Sequence, residues 1–421
     1  MQDPVVERVY FLPGNGGTAR VGVNLPGPVS DEAVSQAVAA HGIDMVVIGP
    51  EDPLIQGMAD RLQERFGDSP AVVGPGAEGA RLEGSKAYAK EFMARHGIPT
   101  AEARTYTLEQ ADALREFLRT AAYPLVLKAS GPAAGKGVII CDSLAEALAA
   151  AADFFEKNRF GVSGHTVVVE QFLQGREVSV FVLTDGRDYR ILGAARDYKR
   201  VFDDDRGPNT GGMGAFTPVD DITPDAWENI RKTVIIPTIE GLQQDGVSFR
   251  GFLFFGLMIV DEAPYVLEYN VRMGDPETQV IMPMIEGPWA ENLWAAARGT
   301  LASAPPLSWK SGAQLAVIAA SEGYPGSYEK GKLIEGLAEA EAIDGVTVFH
   351  AGTRLENGRY LTAGGRVLAV SAHGADRSDA RRKAYEAISR IRFAGMFYRK
   401  DISAPRSIAQ RHPAAPLPRG R

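Results

Sequence analysis

Glu268, Asn270 and Arg272 alternate with Leu267, Tyr269 and Val271 in one short run of the chain. With the two-residue period of a strand, the three polar side chains share one face and the apolar ones share the other. A carboxylate, a carboxamide and a guanidinium are costly to bury without partners. A hard divalent cation accounts for the two oxygens, since magnesium accepts both types and fills the rest of its shell with phosphate. The adjacent arginine suits a phosphoryl group in transfer. The plainer alternative is a polar outer sheet face. Against it stands the adjoining Gly274-Asp275-Pro276-Glu277-Thr278-Gln279, a second polar turn at the same strand end.

Three other segments carry chemistry. Lys128 and Lys136 flank the glycine-rich stretch that ends at Gly137, between two apolar runs. Backbone N–H groups of such a loop can close on phosphate oxygens while the lysines supply cations. It is not a Walker loop, because Gly137 stands where a serine or threonine would hold magnesium. A flexible hairpin with surface lysines remains open at this point. Val167 to Leu173, followed by Glu177, runs from an apolar strand into a polar turn. Glu170 and free backbone groups there could meet a ribose and an adenine edge, or simply end a core strand in water. Lys199 to Gly214 is charged and glycine-rich, either a mobile surface loop or a lid or binding loop.

These segments need elements to hold them. The first stretch alternates strand candidates (Arg8 to Leu12, Met45 to Ile48, Ala71 to Val73) with helices (Asp31 to His41, Leu54 to Phe66). That is the pattern of a parallel sheet with covering helices, whose ligands gather at the carboxyl ends of strands. A helix over Ser85 to His96 follows. Next comes an α+β section with helices near Leu108–Arg119 and Ser143–Lys157 and strands at Leu125–Lys128, Val138–Ile140 and Thr166–Glu170. Beyond it lie a strand at Glu177–Thr184, a helix over Asp225–Gln243, and the apolar strands Phe252–Val260 and Tyr265–Tyr269. From Ser311 onward short strands return, and the tail after Arg406 reads as frayed. The fold class is α/β and α+β, in several domains, since 421 residues exceed one core.

Composition narrows the function classes. Apolar residues make up 45% and charged residues 23%, ordinary for a globular protein, and the net charge of −8 argues against a sequence-independent grip on nucleic acid. Cys141 is the single cysteine, so no intramolecular disulfide can form. The longest apolar run, Gly251 to Val260, is too short to span a bilayer, and the start lacks a signal-peptide core. The expectation is a cytoplasmic protein with neither nucleic-acid nor membrane partners.

In this order the segments resemble the ATP-grasp superfamily and, within it, the phosphoribosylamine–glycine ligases. The resemblance runs from about Val9 to Asp401 and rests on residues 13–19, 49–54, 82–86, 207–214 and 268–279. It implies an ATP-grasp fold at 84–308 with a lid at about 104–176, a parallel-sheet domain at 1–83 before it and a small mixed domain at 309–421 after it. It also implies ligation of phosphoribosylamine and glycine with ATP, by a monomer. Lys86, Lys128, Lys136 and Gly137 would hold the ATP phosphates, and Glu170, Phe172, Leu173 and Glu177 would frame adenine and ribose. Glu268 and Asn270 would ligate magnesium or manganese, with Arg272 and Lys136 catalytic. Gly14, Asn15, Gly16, Glu51, Asp52, Asp197, Lys199, Asn209 and Asp275 would bind the other substrates.

Members of this family usually begin with an apolar strand and a turn of the type Gly-x-Gly-Gly-Arg-Glu-His. Here the chain starts at about the second strand, so the resemblance predicts an N-terminal sheet lacking its first strand, with weakened phosphoribosylamine binding. Other readings are another ATP-grasp carboxylate–amine ligase, a catalytically impaired homologue, and a dinucleotide-dependent oxidoreductase; no intact Gly-x-Gly-x-x-Gly supports the last.

Overall fold

The computed structural model describes residues 3–133, 137–157 and 159–404. Its backbone is one antiparallel sheet of nine strands. From the edge inward, Ala263–Asn270 is followed by Gly251–Val260, Arg176–Thr184, Tyr189–Asp197 and Gly214–Thr217. The sheet then continues through Ala313–Ser321, Arg366–Gly374 and Val346–His350, with Met396–Phe397 pairing beside Ala313–Ser321. The C-terminal strands therefore extend the central sheet, joined to it where Gly214–Thr217 pairs with Ala313–Ser321.

The sheet is covered on both faces. Along Arg176–Thr184, Val178, Val180 and Val182 enter one core with the helices Lys86–Arg95 and Ile236–Gln244. Phe181 and Leu183 enter a second core with Trp289–Arg298. A strand buried on both sides must be apolar at nearly every position, which is why it reads as a continuous run.

The segment read from sequence as a lid has a core of its own. Its strands lie in the order Ala103–Thr107, Thr166–Gln171, Leu125–Ala129, Val138–Cys141, backed by the helices Ala111–Thr120 and Leu144–Phe155. Leu125, Leu127 and Ala129 point into that core with Val167 and Val169. Alternation then sends Val126, Lys128 and Glu170 to the opposite face, toward the cleft.

The N-terminal stretch holds two separate parallel pairs, Tyr10–Phe11 with Val23–Asn24 and Met45–Val47 with Ala71–Val73. Gly57, at φ 80°, divides the helix expected over Leu54–Phe66 into Glu51–Ile55 and Met58–Phe66. Lys199 to Gly214 is ordered around a tight strand pair, Arg200–Phe202 with Arg206–Asn209. Arg399, whose side chain is 1% exposed, ties this pair down through the Arg200 carbonyl (3.0 Å) and Asp205 (2.9 Å). The reading as a mobile surface loop gives way to that anchorage. Among the described residues no helix is long and apolar enough to cross a membrane.

Candidate active site

A cleft of about 2750 Å³ opens between the cleft face of the lid, the outer strands of the central sheet and the edge of the C-terminal part. On the lid side Lys128 and Glu170 are both buried, with Lys128 Nζ 2.9 Å from the Glu170 carboxylate. Lys128 also donates to the Leu267 carbonyl across the cleft (3.1 Å). Lys86 sits in the first turn of Lys86–Arg95, a helix capped by Ser85, and its backbone N–H is held by the lid's Ser130 carbonyl (2.9 Å). Burial lowers the Lys86 pKa, an effect that Glu268 and Glu170 oppose. Lys90, one helical turn on, approaches Glu170 at 3.3 Å and donates to Thr100 Oγ1 at 2.7 Å. Phe172, Leu173, Glu177 and Gly137 complete this end of the cleft. Lys136 lies outside the described residues.

Across from the lid, Ala263–Asn270 carries the metal-type donors. The strict alternation expected there is broken once: the pairing passes from Leu257↔Val266 to Gly256↔Glu268, leaving Leu267 as a bulge. Beyond it Tyr269 and Val271 enter the core while Glu268, Asn270 and Arg272 face the cleft, as the period predicts. Burial would raise the Glu268 pKa, but Lys199, Lys86, Lys128 and Arg272 outweigh it and hold the carboxyl below its ordinary value. Arg272 donates to Glu83 (2.8 Å) and to Asn270 Oδ1 (3.0 Å) and lies 3.3 Å from Glu51. Glu268 and Asn270 offer two hard oxygens beside a basic pocket, a donor set that fits a divalent cation sharing its shell with phosphate.

Asp197 and Lys199 stand at the cleft floor with Glu177 and Glu277. Burial works against the Lys199 charge, but Asp197, Glu177 and Glu268 hold its pKa well above the usual value. Burial raises both Asp197 and Glu277; Lys199 pulls Asp197 back down while Glu177 and Glu268 add to its rise, and Asp197 in turn adds to the rise of Glu277. Glu177 is steadied from behind, where Arg196 donates to its carbonyl (2.9 Å) and pairs with Asp221 (2.8 Å).

Three family models match in sequence along the chain: phosphoribosylglycinamide synthetase N domain at 1–83, ATP-grasp (A) domain at 84–278 and C domain at 314–405. The chain belongs to the phosphoribosylglycinamide synthetase family. A phosphoribosylamine–glycine ligase of Chlorobaculum tepidum is 45% identical over 95% of this chain and 94% of its own length. One from Pseudomonas aeruginosa is 44% identical over 97% and 94%. The crystal structure of phosphoribosylamine–glycine ligase from Thermotoga maritima superposes with a TM-score of 0.80 at 38% identity, covering 94% of each chain.

Within this synthetase fold the structure gathers most of the residues singled out by sequence. Glu51, Asp197, Lys199, Asn209 and Asp275 line the cleft with the lysines and the metal-type pair. Gly14, Asn15 and Gly16 do not. Asn15 Nδ2 donates to the His350 carbonyl (2.7 Å), and Arg20 pairs with Glu341, so that glycine loop docks on the C-terminal part. Asp52, beside Glu51, is exposed outside the lining. Sequence reasoning missed Glu83, Lys90, Glu277 and Arg366, all of which line the cleft. Lys90 had a signal, four residues after Lys86 on one helix face. Glu83 and Glu277 sat inside segments already singled out. Arg366 had none.

Proposed function

We infer that this chain joins phosphoribosylamine to glycine with ATP, giving glycinamide ribonucleotide, ADP and phosphate, a step of purine synthesis. The observation that carries the reading is one cleft that brings Lys128 and Glu170 of the lid, Lys86 at the start of its helix and Glu177 of the central sheet together with Glu268, Asn270 and Arg272 of the outer strand. Names of relatives covering nearly the whole chain support the choice of substrates. Glycine's carboxylate attacks the γ-phosphorus and ADP departs, leaving glycyl phosphate. The amine of phosphoribosylamine then attacks the carbonyl carbon, phosphate leaves with the C–O bond electrons, and the nitrogen gives up a proton. No side-chain nucleophile is required, because positioning and charge neutralisation supply most of the catalysis.

Lys86 and Lys128 neutralise phosphate charge, Glu170 and Glu177 receive the nucleoside, and Arg272 steadies the transferring group. Glu268 and Asn270 would hold magnesium or manganese, which supplies charge neutralisation at the phosphates. Asp197, Lys199, Asn209, Asp275 and Glu51 are assigned to glycine and phosphoribosylamine. The reading takes the chain as a monomer, supported by a cleft lined within one chain, and as cytoplasmic, supported by a lone, buried Cys141.

The test follows ADP and glycinamide ribonucleotide while each substrate is omitted in turn, then repeats it with Glu268→Gln. Both products should need glycine and phosphoribosylamine for full turnover, and the variant should lose at least about a hundredfold in kcat with its fold intact. Ligation of another acid in preference to glycine, or near-normal turnover of the variant at saturating metal, overturns the reading.

A further inference from the structure

We infer that Arg366, assisted by Tyr324, is a positioning residue that clamps the 207–214 loop onto the 274–279 turn and so sets the cleft wall carrying Asn209 and Asp275. Arg366 opens the strand Arg366–Gly374, whose following residues are buried in the C-terminal core, so its backbone is anchored there. Its side chain is 20% exposed and leaves that core to reach two loops far away in sequence. Nη1 donates to the carbonyls of Gly211, Gly212 (3.3 Å) and Asp275 (2.9 Å). Nη2 meets Asp275 Oδ2 at 2.7 Å.

Tyr324 works on the same loop from the other side, its hydroxyl accepting from the Gly211 N–H at 3.0 Å. The packing leaves no slack. A Cβ on Gly212 would stand 2.4 Å from Pro276 Cδ, and one on Gly365 would stand 2.3 Å from the Tyr324 ring. The two loops therefore meet through glycine and are held by one guanidinium. A planar fork can bridge acceptors on both at once, whereas an ammonium is a single point.

Because these donors are spent on protein oxygens, Arg366 acts through the wall it holds. The lysines assigned to ATP sit on other elements, Lys86–Arg95 and Leu125–Ala129. Loosening the clamp should accordingly disturb glycine and phosphoribosylamine and spare ATP. This rests on the reading that Asn209 and Asp275 face those two substrates.

The experiment measures KM for glycine, phosphoribosylamine and ATP separately in the full chain for R366A, R366K, Y324F and N209A, with thermal melting alongside. R366A should raise the first two KM values about tenfold or more and leave the ATP value within about twofold. R366K should recover little, millimolar guanidinium should restore part of the R366A loss, and Y324F should move the same two values about threefold. An ATP KM rising in step with the others means general loosening and overturns the clamp. Should R366A fail to fold, R366K and Y324F carry the test, and absence of the split from both overturns it. If N209A leaves both KM values unchanged, the assignment of that wall to these substrates is wrong whatever Arg366 does. If N209A raises them while the Arg366 and Tyr324 variants do not, the clamp alone is wrong.

Discussion

Replacing Glu83 by glutamine removes one charge and almost no volume at the junction between the N-terminal part and the cleft. One Glu83 oxygen accepts from Arg272 Nη2 and the other from the Val271 N–H, each at 2.8 Å. The two side chains are 10% and 21% exposed, so water replaces little of what is lost. Glutamine can keep the Val271 bond through its carbonyl oxygen, but it then turns an NH2 group toward the guanidinium. A hydrogen bond to a charged partner is worth about 1.5–3 kcal/mol. If Arg272 must be re-ordered at each turnover, that converts to a loss of roughly ten- to 150-fold in kcat/KM.

Stability should behave differently. Burial pushes the Glu83 carboxyl up to about 7, against the pull of Arg272 and the Val271 N–H, with Glu51 and Glu268 adding to the rise. Between its ordinary 4.5 and 7 the folded protein keeps a proton that the unfolded chain releases. The contribution of this group to stability therefore falls as pH rises through that window. Glu83→Gln abolishes the slope and should leave melting within about 1 kcal/mol of the parent, since a costly buried charge is gone. Activity runs the other way, because the grip on Arg272 strengthens as Glu83 ionises toward pH 7. Initial rates from about pH 5.5 to 8.5 should show an acid limb in the parent that the variant lacks. A variant within twofold of the parent in kcat/KM, with the acid limb intact, would refute the reasoning.

Lys128→Ala deletes the 2.9 Å pair with Glu170 and the bond to the Leu267 carbonyl. Calorimetric titration should show ATP binding weakened about tenfold or more, and unchanged affinity would remove Lys128 from the nucleotide site. Lys90, pushed down to about 8 chiefly by burial, sheds its proton in the fold while the unfolded chain keeps it up to about 10.5. Its contribution to stability thus rises with pH between those values. Melting curves of the parent and Lys90→Met should diverge across that window, and parallel curves would contradict the burial argument.

Much of the strand that carries Glu268 and Asn270 was legible because its signal is local. Period-2 alternation placed Glu268, Asn270 and Arg272 on one face, and the same rule turned Lys128 and Glu170 out of the lid core. Strands Tyr189–Asp197 and Gly214–Thr217 escaped notice. Arg190, Gly193 and Arg196 interrupt the first, and Gly214–Thr217 is only four residues long. What makes them strands is pairing with neighbours on both sides, which no local pattern encodes.

Residue types at fixed spacing determined, by themselves, the donor set of the cleft, the lysines that line it and the family to which the chain belongs. Tertiary structure alone decided where similar-looking glycine loops went. Gly14 to Gly17 could serve a phosphate as readily as a domain joint by composition; the carbonyls of His350 and Thr353 claim it for the joint. The bulge at Leu267 depends on the partner strand, and Arg366 reaches Gly211 across 155 residues of sequence. Side-chain periodicity is written in neighbouring residues, whereas the acceptor that captures a given N–H belongs to whichever distant backbone the packed cores bring beside it.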